Sequence, residues 1–290
     1  MSHRYLACVL LGIASVHASP AAADPALSVS PTTAHPGDPV LVTLTGSKDG
    51  GKELPHGTAN GKPLQFFPAR GGYQAVFAIA LDAKPEPITI EVDSVAKPRT
   101  VQVREVTFPE SSVIVEDELA NPDKADRQRI DADNVAILHA AAQAKGDPQF
   151  VRAFRRPPGE VTSPFGEWRT FNDGHRSQHL GLDLFAREGS PVRTINAGTV
   201  VLVRECFLAG NVVVVAHGGG IASAYYHLSK TSVAEGDTIA AGDPIGLAGH
   251  TGRATGPHLH LSIHVPGGMV EPAAFFKLKL APAAAKVTRR

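Results

Sequence analysis

The chain has 290 residues, enough for two domains, and 28 basic side chains balance 28 acidic ones. A net charge of zero excludes the basic footprint of a nucleic-acid or anionic-membrane binder. There are 28 glycines and 23 prolines, and Val, Ile and Thr recur in short alternating runs between turn signals, which predicts a mainly β fold.

Residues 1–23 read as a signal peptide: Arg4, an apolar run, then small residues ending in Ala21-Ala22-Ala23 before Asp24. The run is about twelve residues, too short for a membrane-spanning helix, and no other segment is apolar enough for a transmembrane one. The chain is therefore expected to be exported, to the periplasm or the medium. Cys8 lies at the start of the run, not after it, which argues against a lipoprotein anchor. With the signal removed Cys206 stands alone, so no disulfide can form within the chain, and its setting in "VVLVRECF" reads as a small buried hydrophobe.

Over 24–106, "ALSVSP", "DPVLVTLTG", "GYQAVFAIAL", "PITIEVDS" and "RTVQVREV" have the meter of an Ig-like β-sandwich. No motif in it carries chemistry, which makes it an accessory domain. Residues 107–150 turn charged and Ala-rich, with Ile130, Val135, Leu138 and Ala142 at roughly helical spacing after Pro122, and read as a helical linker; His139 on it is expected at the surface. From 151 to 280 the chain returns to β, and 281–290 reads as a flexible tail. The segment "VAEGDTIAAGDPIG" has the hairpin rhythm of biotinyl and lipoyl carriers but lacks their lysine, so the likeness is architectural.

Eight of the thirteen histidines fall between His175 and His264. In "TGPHLHLSIHV", period two puts His258, His260, Ser262 and His264 on one strand face and Leu259, Leu261, Ile263 and Val265 on the other. In "SQHLGLDLF", His179, Gly181 and Asp183 alternate with leucines, so a strand would set imidazole and carboxylate on one face with a glycine between them, leaving room for an ion. Adding a histidine from another strand gives three ligands with an open position for water, as catalytic zinc sites require. A face with two imidazoles can give one to a metal and keep the other for substrate.

Residues 160–275 resemble the lysostaphin and LytM type of zinc metallopeptidases, peptidase family M23, which cut peptide bonds of peptidoglycan. The resemblance rests on "FGEWR", "HLGLD", "GSPVRTINAGTVV", "GNVVVVAHGGGIASAYYHLS" and "GHTGRATGPHLHLSI", in that order. It implies an antiparallel β-sheet peptidase domain with barrel-sandwich-like hairpins, Zn2+ held by His179, Asp183 and His260, and His227 and His258 as the catalytic pair that does not bind metal. It implies a peptidoglycan endopeptidase; the alternative is a non-catalytic LytM-like module that binds cell wall or activates an amidase, against which the intact residue set argues. His217 matches a structural turn histidine of the family. His175 is a candidate for the groove wall, and His250 and His264 read as exposed or hydrogen-bonded bystanders. Leu261 and Ser262 replace the aromatic residue and Glu or Gly common after H-x-H, and Phe171 stands in a loop where cutters of glycine bridges often carry tyrosine, so the bond cut is left open.

Overall fold

The computed structural model describes residues 25–46, 53–172 and 174–281; the expected signal peptide and all but the first residue of the expected tail lie outside them. The fold is mainly β. In the N-terminal part Ala26–Ser30, Pro39–Thr45, Gly72–Ala78 and Phe67–Ala69 pair in that order, and Thr33–Ala34, Val95–Val103, Ile88–Val92, Gly57–Ala59 and Lys62–Pro63 form a second sheet. Their inner faces share a core that includes Val40, Val42, Leu44, Tyr73, Phe77, Ile90 and Val101, as the alternating runs predict.

Pro39–Thr45 is buried on both faces, which accounts for its nearly unbroken apolar sequence. Val40, Val42 and Leu44 point into the sandwich, while Leu41, with Phe67, Val76 and Ala78, joins the core of the C-terminal part. An aromatic file continues that joint: Phe67, Phe150, Phe154 and Phe275 follow one another with ring centroids 6.0, 4.9 and 5.1 Å apart. Backbone bonds cross it too, from Ala78 N to the Pro266 carbonyl at 2.9 Å and from Arg70 N to the Ala281 carbonyl at 2.7 Å.

After the sandwich, Glu110–Val113 pairs in parallel with Trp168–Phe171, which pairs antiparallel with Arg176–Gln178. The helix Lys124–Ala141 starts just after Pro122, where Asp123 caps it by accepting from Asp126 N at 2.8 Å. Its buried face is Asp133, Ile137, Ala140 and Ala141, and not the one carrying Val135 and Leu138, which are 66% and 52% exposed. Small alanines let the helix lie close on the sheet against Val212, Val214, Ala222 and Ala224. Asp133 is buried because both its oxygens are used, by Arg204 Nε and by Phe207 N, each at 2.8 Å. His139 is exposed on the last turn.

The main sheet runs Val161–Ser163, Leu182–Phe185, His258–Val265, Ile221–Leu228, Gly210–Gly218, Gly198–Cys206 and Thr238–Ile239, with Gly268–Val270 added beside His258–Val265. Leu182, Leu184, Leu259, Leu261 and Ile263 pack into the main core. The opposite face carries the imidazoles and, further along, the helix, so period two sorts this strand as its sequence predicts. Cys206 is buried beneath the helix, and burial pushes its thiol up to about 11, which makes it inert.

Candidate active site

Strand register builds the centre. Asp183 lies directly opposite His260 in one antiparallel ladder, and His260 lies opposite Tyr226 in the next. Side chains opposite one another share a face, so three neighbouring strands deliver carboxylate, imidazole and phenol to one place. His179 arrives differently: the strand Arg176–Gln178 ends just before it and the next begins at Leu182, while backbone bonds to Glu167 and Gly166 hold His179 at the break. The expected single strand holding both His179 and Asp183 is therefore interrupted. Gly181 leaves room for the ring of His260, not for an ion: a Cβ there would lie 2.4 Å from His260 Nε2.

His179 Nε2, Asp183 Oδ1 and His260 Nδ1 form a triangle with edges of 2.8, 2.9 and 3.0 Å. That is a few tenths of an ångström tighter than the ~3.3 Å between ligand atoms around a tetrahedral zinc ion. The donor set fits a metal. His179 Nδ1 lies 2.7 Å from the Pro164 carbonyl, which can only accept, so the ring's proton sits on Nδ1 and Nε2 offers a lone pair. That lone pair faces a carboxylate oxygen and a second imidazole, an arrangement a shared cation relieves. Among the described residues this is the one group of three or more such side chains with converging ligand atoms.

The surroundings keep Asp183 charged. Burial works to raise its carboxyl, but the imidazoles of His179 and His260 outweigh this and hold it far below the usual carboxylate range. Its other oxygen accepts from Arg169 Nη2 at 2.7 Å, and Arg169 is fixed in turn by Ser163 Oγ at 2.6 Å and Glu167 Oε2 at 3.0 Å. Ser163 also donates to Glu167. Arg169, within the motif "FGEWR", was not singled out by sequence reasoning as functional. Its signal was a lone arginine with a buried carboxylate to find.

His227 and His258 stand beside the triangle with ring centroids 4.9 Å apart. Each turns Nδ1 to a backbone carbonyl at 2.8 Å, Thr251 for His227 and Gly256 for His258, which leaves Nε2 free of both carbonyls. His258 Nε2 lies 3.7 Å from Asp183 Oδ1. Burial, with the neighbouring His260 and His258, lowers His227 to about 3, well below a free imidazole. His227 reaches this place through a bulge: Tyr225 and Leu228 pair with Val213 and Asn211, two residues on one strand oppose one on the other, and His227 adopts a φ of +60°. Simple alternation would have put Tyr226 and His227 on opposite faces. Instead Tyr226 packs edge-on against His260 with centroids 4.7 Å apart, its hydroxyl 3.0 Å from Ser262 Oγ, which lies 3.0 Å from His264 Nε2.

These residues line a groove of about 940 Å³. Val113, Ile137 and Leu138 form part of one wall, so the segment between the two β parts shapes the groove, and His175 lines it as expected. His250 is exposed and pairs with Glu188 at 2.8 Å. A second pocket of about 520 Å³, lined by Arg155, Phe185 and Arg193 among others, holds none of the site histidines.

His217 is wholly buried, between the Ala197 carbonyl at 2.7 Å and Ser223 Oγ at 2.8 Å, and burial lowers it to about 4, as it does His264. Both lie below the 6.5 of a free imidazole, so the unfolded chain binds protons that the fold refuses. Stability is complete above pH 6.5 and falls as pH drops towards 4, by up to about 3 kcal/mol from His217 alone. Urea midpoints measured between those limits should decline steeply; level midpoints would contradict neutral buried imidazoles.

A largely buried cluster of two imidazoles and a carboxylate, with two further imidazoles alongside on a β-sheet groove, defines a candidate metallohydrolase centre. Residues 177–272 match the model of peptidase family M23, which makes that segment a peptidase M23 domain. The peptidoglycan DD-endopeptidase ShyA of Vibrio cholerae is 40% identical over 139 residues, 46% of this chain and 32% of the relative. The DD-carboxypeptidase/endopeptidase Mpg of Neisseria meningitidis is 38% identical over 115 residues, 39% of this chain and 26% of the relative. The chain thus matches about a third or less of the length of these curated relatives. The crystal structure of a Pseudomonas aeruginosa protein described as a peptidase M23 superposes with a TM-score of 0.62 at 28% identity, over 83% of this chain and 94% of that one.

Proposed function

We propose that the protein is an exported, zinc-dependent endopeptidase that hydrolyses peptide cross-links of bacterial peptidoglycan. The observation that carries this reading is the convergence of His179, Asp183 and His260 within 3.0 Å of one another, beside a second imidazole pair that is not part of the triangle. The family match and the curated relatives that act on peptidoglycan support the substrate class. Peptidoglycan lies outside the cytoplasm, which agrees with the export signal read at residues 1–23. No helix among the described residues is long and apolar enough to cross a membrane.

His179, Asp183 and His260 would hold the metal, with Arg169 keeping Asp183 oriented and charged. A zinc ion there supplies Lewis-acid polarisation of the scissile carbonyl and acidifies water to a pKa near 7. The chain's own part is proton handling. With Nδ1 tied to a carbonyl, Nε2 of His227 and of His258 can each only accept a proton first, and donates once it has done so. The pair therefore takes the proton of the attacking water, gives it to the departing amine, and in its protonated form donates a hydrogen bond to the developing oxyanion. Tyr226, its phenol pushed up to about 12 by burial, stays neutral and braces the His260 ring.

Digestion of purified sacculi, followed by mass spectrometry of the released muropeptides, tests the reading. Opened peptide cross-links are expected. Free glycan fragments with intact peptides would overturn it.

A further inference from the structure

The guanidinium of Arg253 projects into the groove with Cζ 3.9 Å from the centroid of the Phe171 ring. The loop that carries it is held firmly. Arg253 N donates to the Leu208 carbonyl at 2.8 Å, and Thr251 Oγ1 donates to the Leu228 carbonyl at 2.9 Å. The same loop supplies the two carbonyls, of Thr251 and Gly256, that orient His227 and His258.

Arginines elsewhere in the neighbourhood have anions. Arg169 has Asp183 and Glu167, Arg176 has Glu110, and Arg204 has Asp133. Among the described residues the Arg253 side chain has no hydrogen-bond acceptor and no carboxylate, only the Phe171 ring. Burial lowers it to about 10, and Arg169, a like charge, adds to this. The carboxylates that line the groove are already committed: Asp183 faces the two imidazoles, and Glu167 is taken by Ser163 and Arg169. A half-buried cation with a second cation nearby and no anion of its own among the described residues is unfavourable until an anion arrives. The planar fork of arginine matches a carboxylate in two parallel hydrogen bonds.

We propose that Arg253 forms a carboxylate-binding subsite, recognising a scissile amide whose leaving amine carries an α-carboxylate. The inference rests on the peptidase reading above and narrows it. In a cross-link from D-alanine to the side-chain amine of diaminopimelate, the carbon next to the scissile nitrogen bears a free carboxylate; within a glycine bridge no charge lies there. The Arg253 loop belongs to the side of the site that holds His227 and His258, where the leaving amine takes its proton. The subsite therefore selects the diaminopimelate type of bond over the glycine bridge.

Two synthetic cross-linked peptides test this, identical except that one carries that carboxylate free and the other as its amide. Hydrolysis is measured with the zinc-loaded protein, and equilibrium binding separately with the metal-free protein. The free acid should be preferred about 10- to 100-fold in both measurements. The preference should fall to near unity in Arg253→Gln and return in part in Arg253→Lys, which keeps the charge but loses the fork. A purely structural brace on Phe171 would lower both substrates together and leave the ratio unchanged. Equal treatment of the two peptides by the unaltered protein, or a ratio that survives Arg253→Gln, overturns the subsite. Preferential binding of the free acid without hydrolysis of either peptide would sustain the subsite and overturn the peptidase reading instead.

Discussion

His258→Ala and His227→Ala are each expected to keep bound metal and to lose hydrolysis by about 10²- to 10⁴-fold. His260→Ala and Asp183→Ala should lose both. The split follows from geometry: three ligand atoms meet within 3.0 Å, and the His227 and His258 rings lie next to that triangle with their Nδ1 atoms tied to backbone carbonyls. Removing Asp183 has a second consequence, since it leaves Arg169 without the carboxylate it reaches at 2.7 Å. Metal content of each purified variant by mass spectrometry, beside turbidity loss of sacculi, separates the two classes. A His258→Ala protein that still lyses sacculi would remove that residue from the catalytic pair, and a metal-free His227→Ala protein would make His227 a ligand.

Gly181→Ala should weaken metal binding by about 10- to 100-fold while leaving the strands paired. The added methyl would stand 2.4 Å from Nε2 and 2.6 Å from Cε1 of His260, and 2.8 Å from the Leu261 carbonyl. The imidazole cannot easily turn away, because Tyr226 closes its other side at a centroid distance of 4.7 Å. The ring must therefore tilt, carrying Nδ1 off the point it shares with His179 and Asp183. Zinc titration against a chelator of known affinity measures the loss, and circular dichroism checks the fold. Unchanged affinity would mean that the ring has slack the packing does not suggest.

Much of this centre was legible in the sequence because strand periodicity is a strong rule. Alternation alone sorts His258, His260, Ser262 and His264 from Leu259, Leu261 and Ile263 between them, and the sheet keeps that sorting. The sandwich was legible for the same reason. Where period two is broken, reading failed. The interruption before Leu182 and the bulge that turns His227 towards Tyr226's face are departures from the rule, and no residue type in "SQHLGLD" or "AYYHLS" announces them. The helix was found in place but with the wrong face inward. Val135 and Leu138 are more apolar than Ala140 and Ala141, yet close packing favoured small side chains, and the buried Asp133 depended on Arg204 some seventy residues on. Arg169 and Arg253 escaped notice because a single arginine becomes informative only when its anion, or the lack of one, is seen.

The left-handed backbone of His227 has a consequence for how such a chain can change over time. A non-glycine residue at a φ of +60° gives up about 1–2 kcal/mol relative to the ordinary region, and glycine gives up almost none of that. Position 227 is thus held against the backbone's own preference, as the catalytic role proposed for it would require. If the role proposed for His227 were no longer needed, a change to glycine, and not to other residues, would relieve this backbone cost.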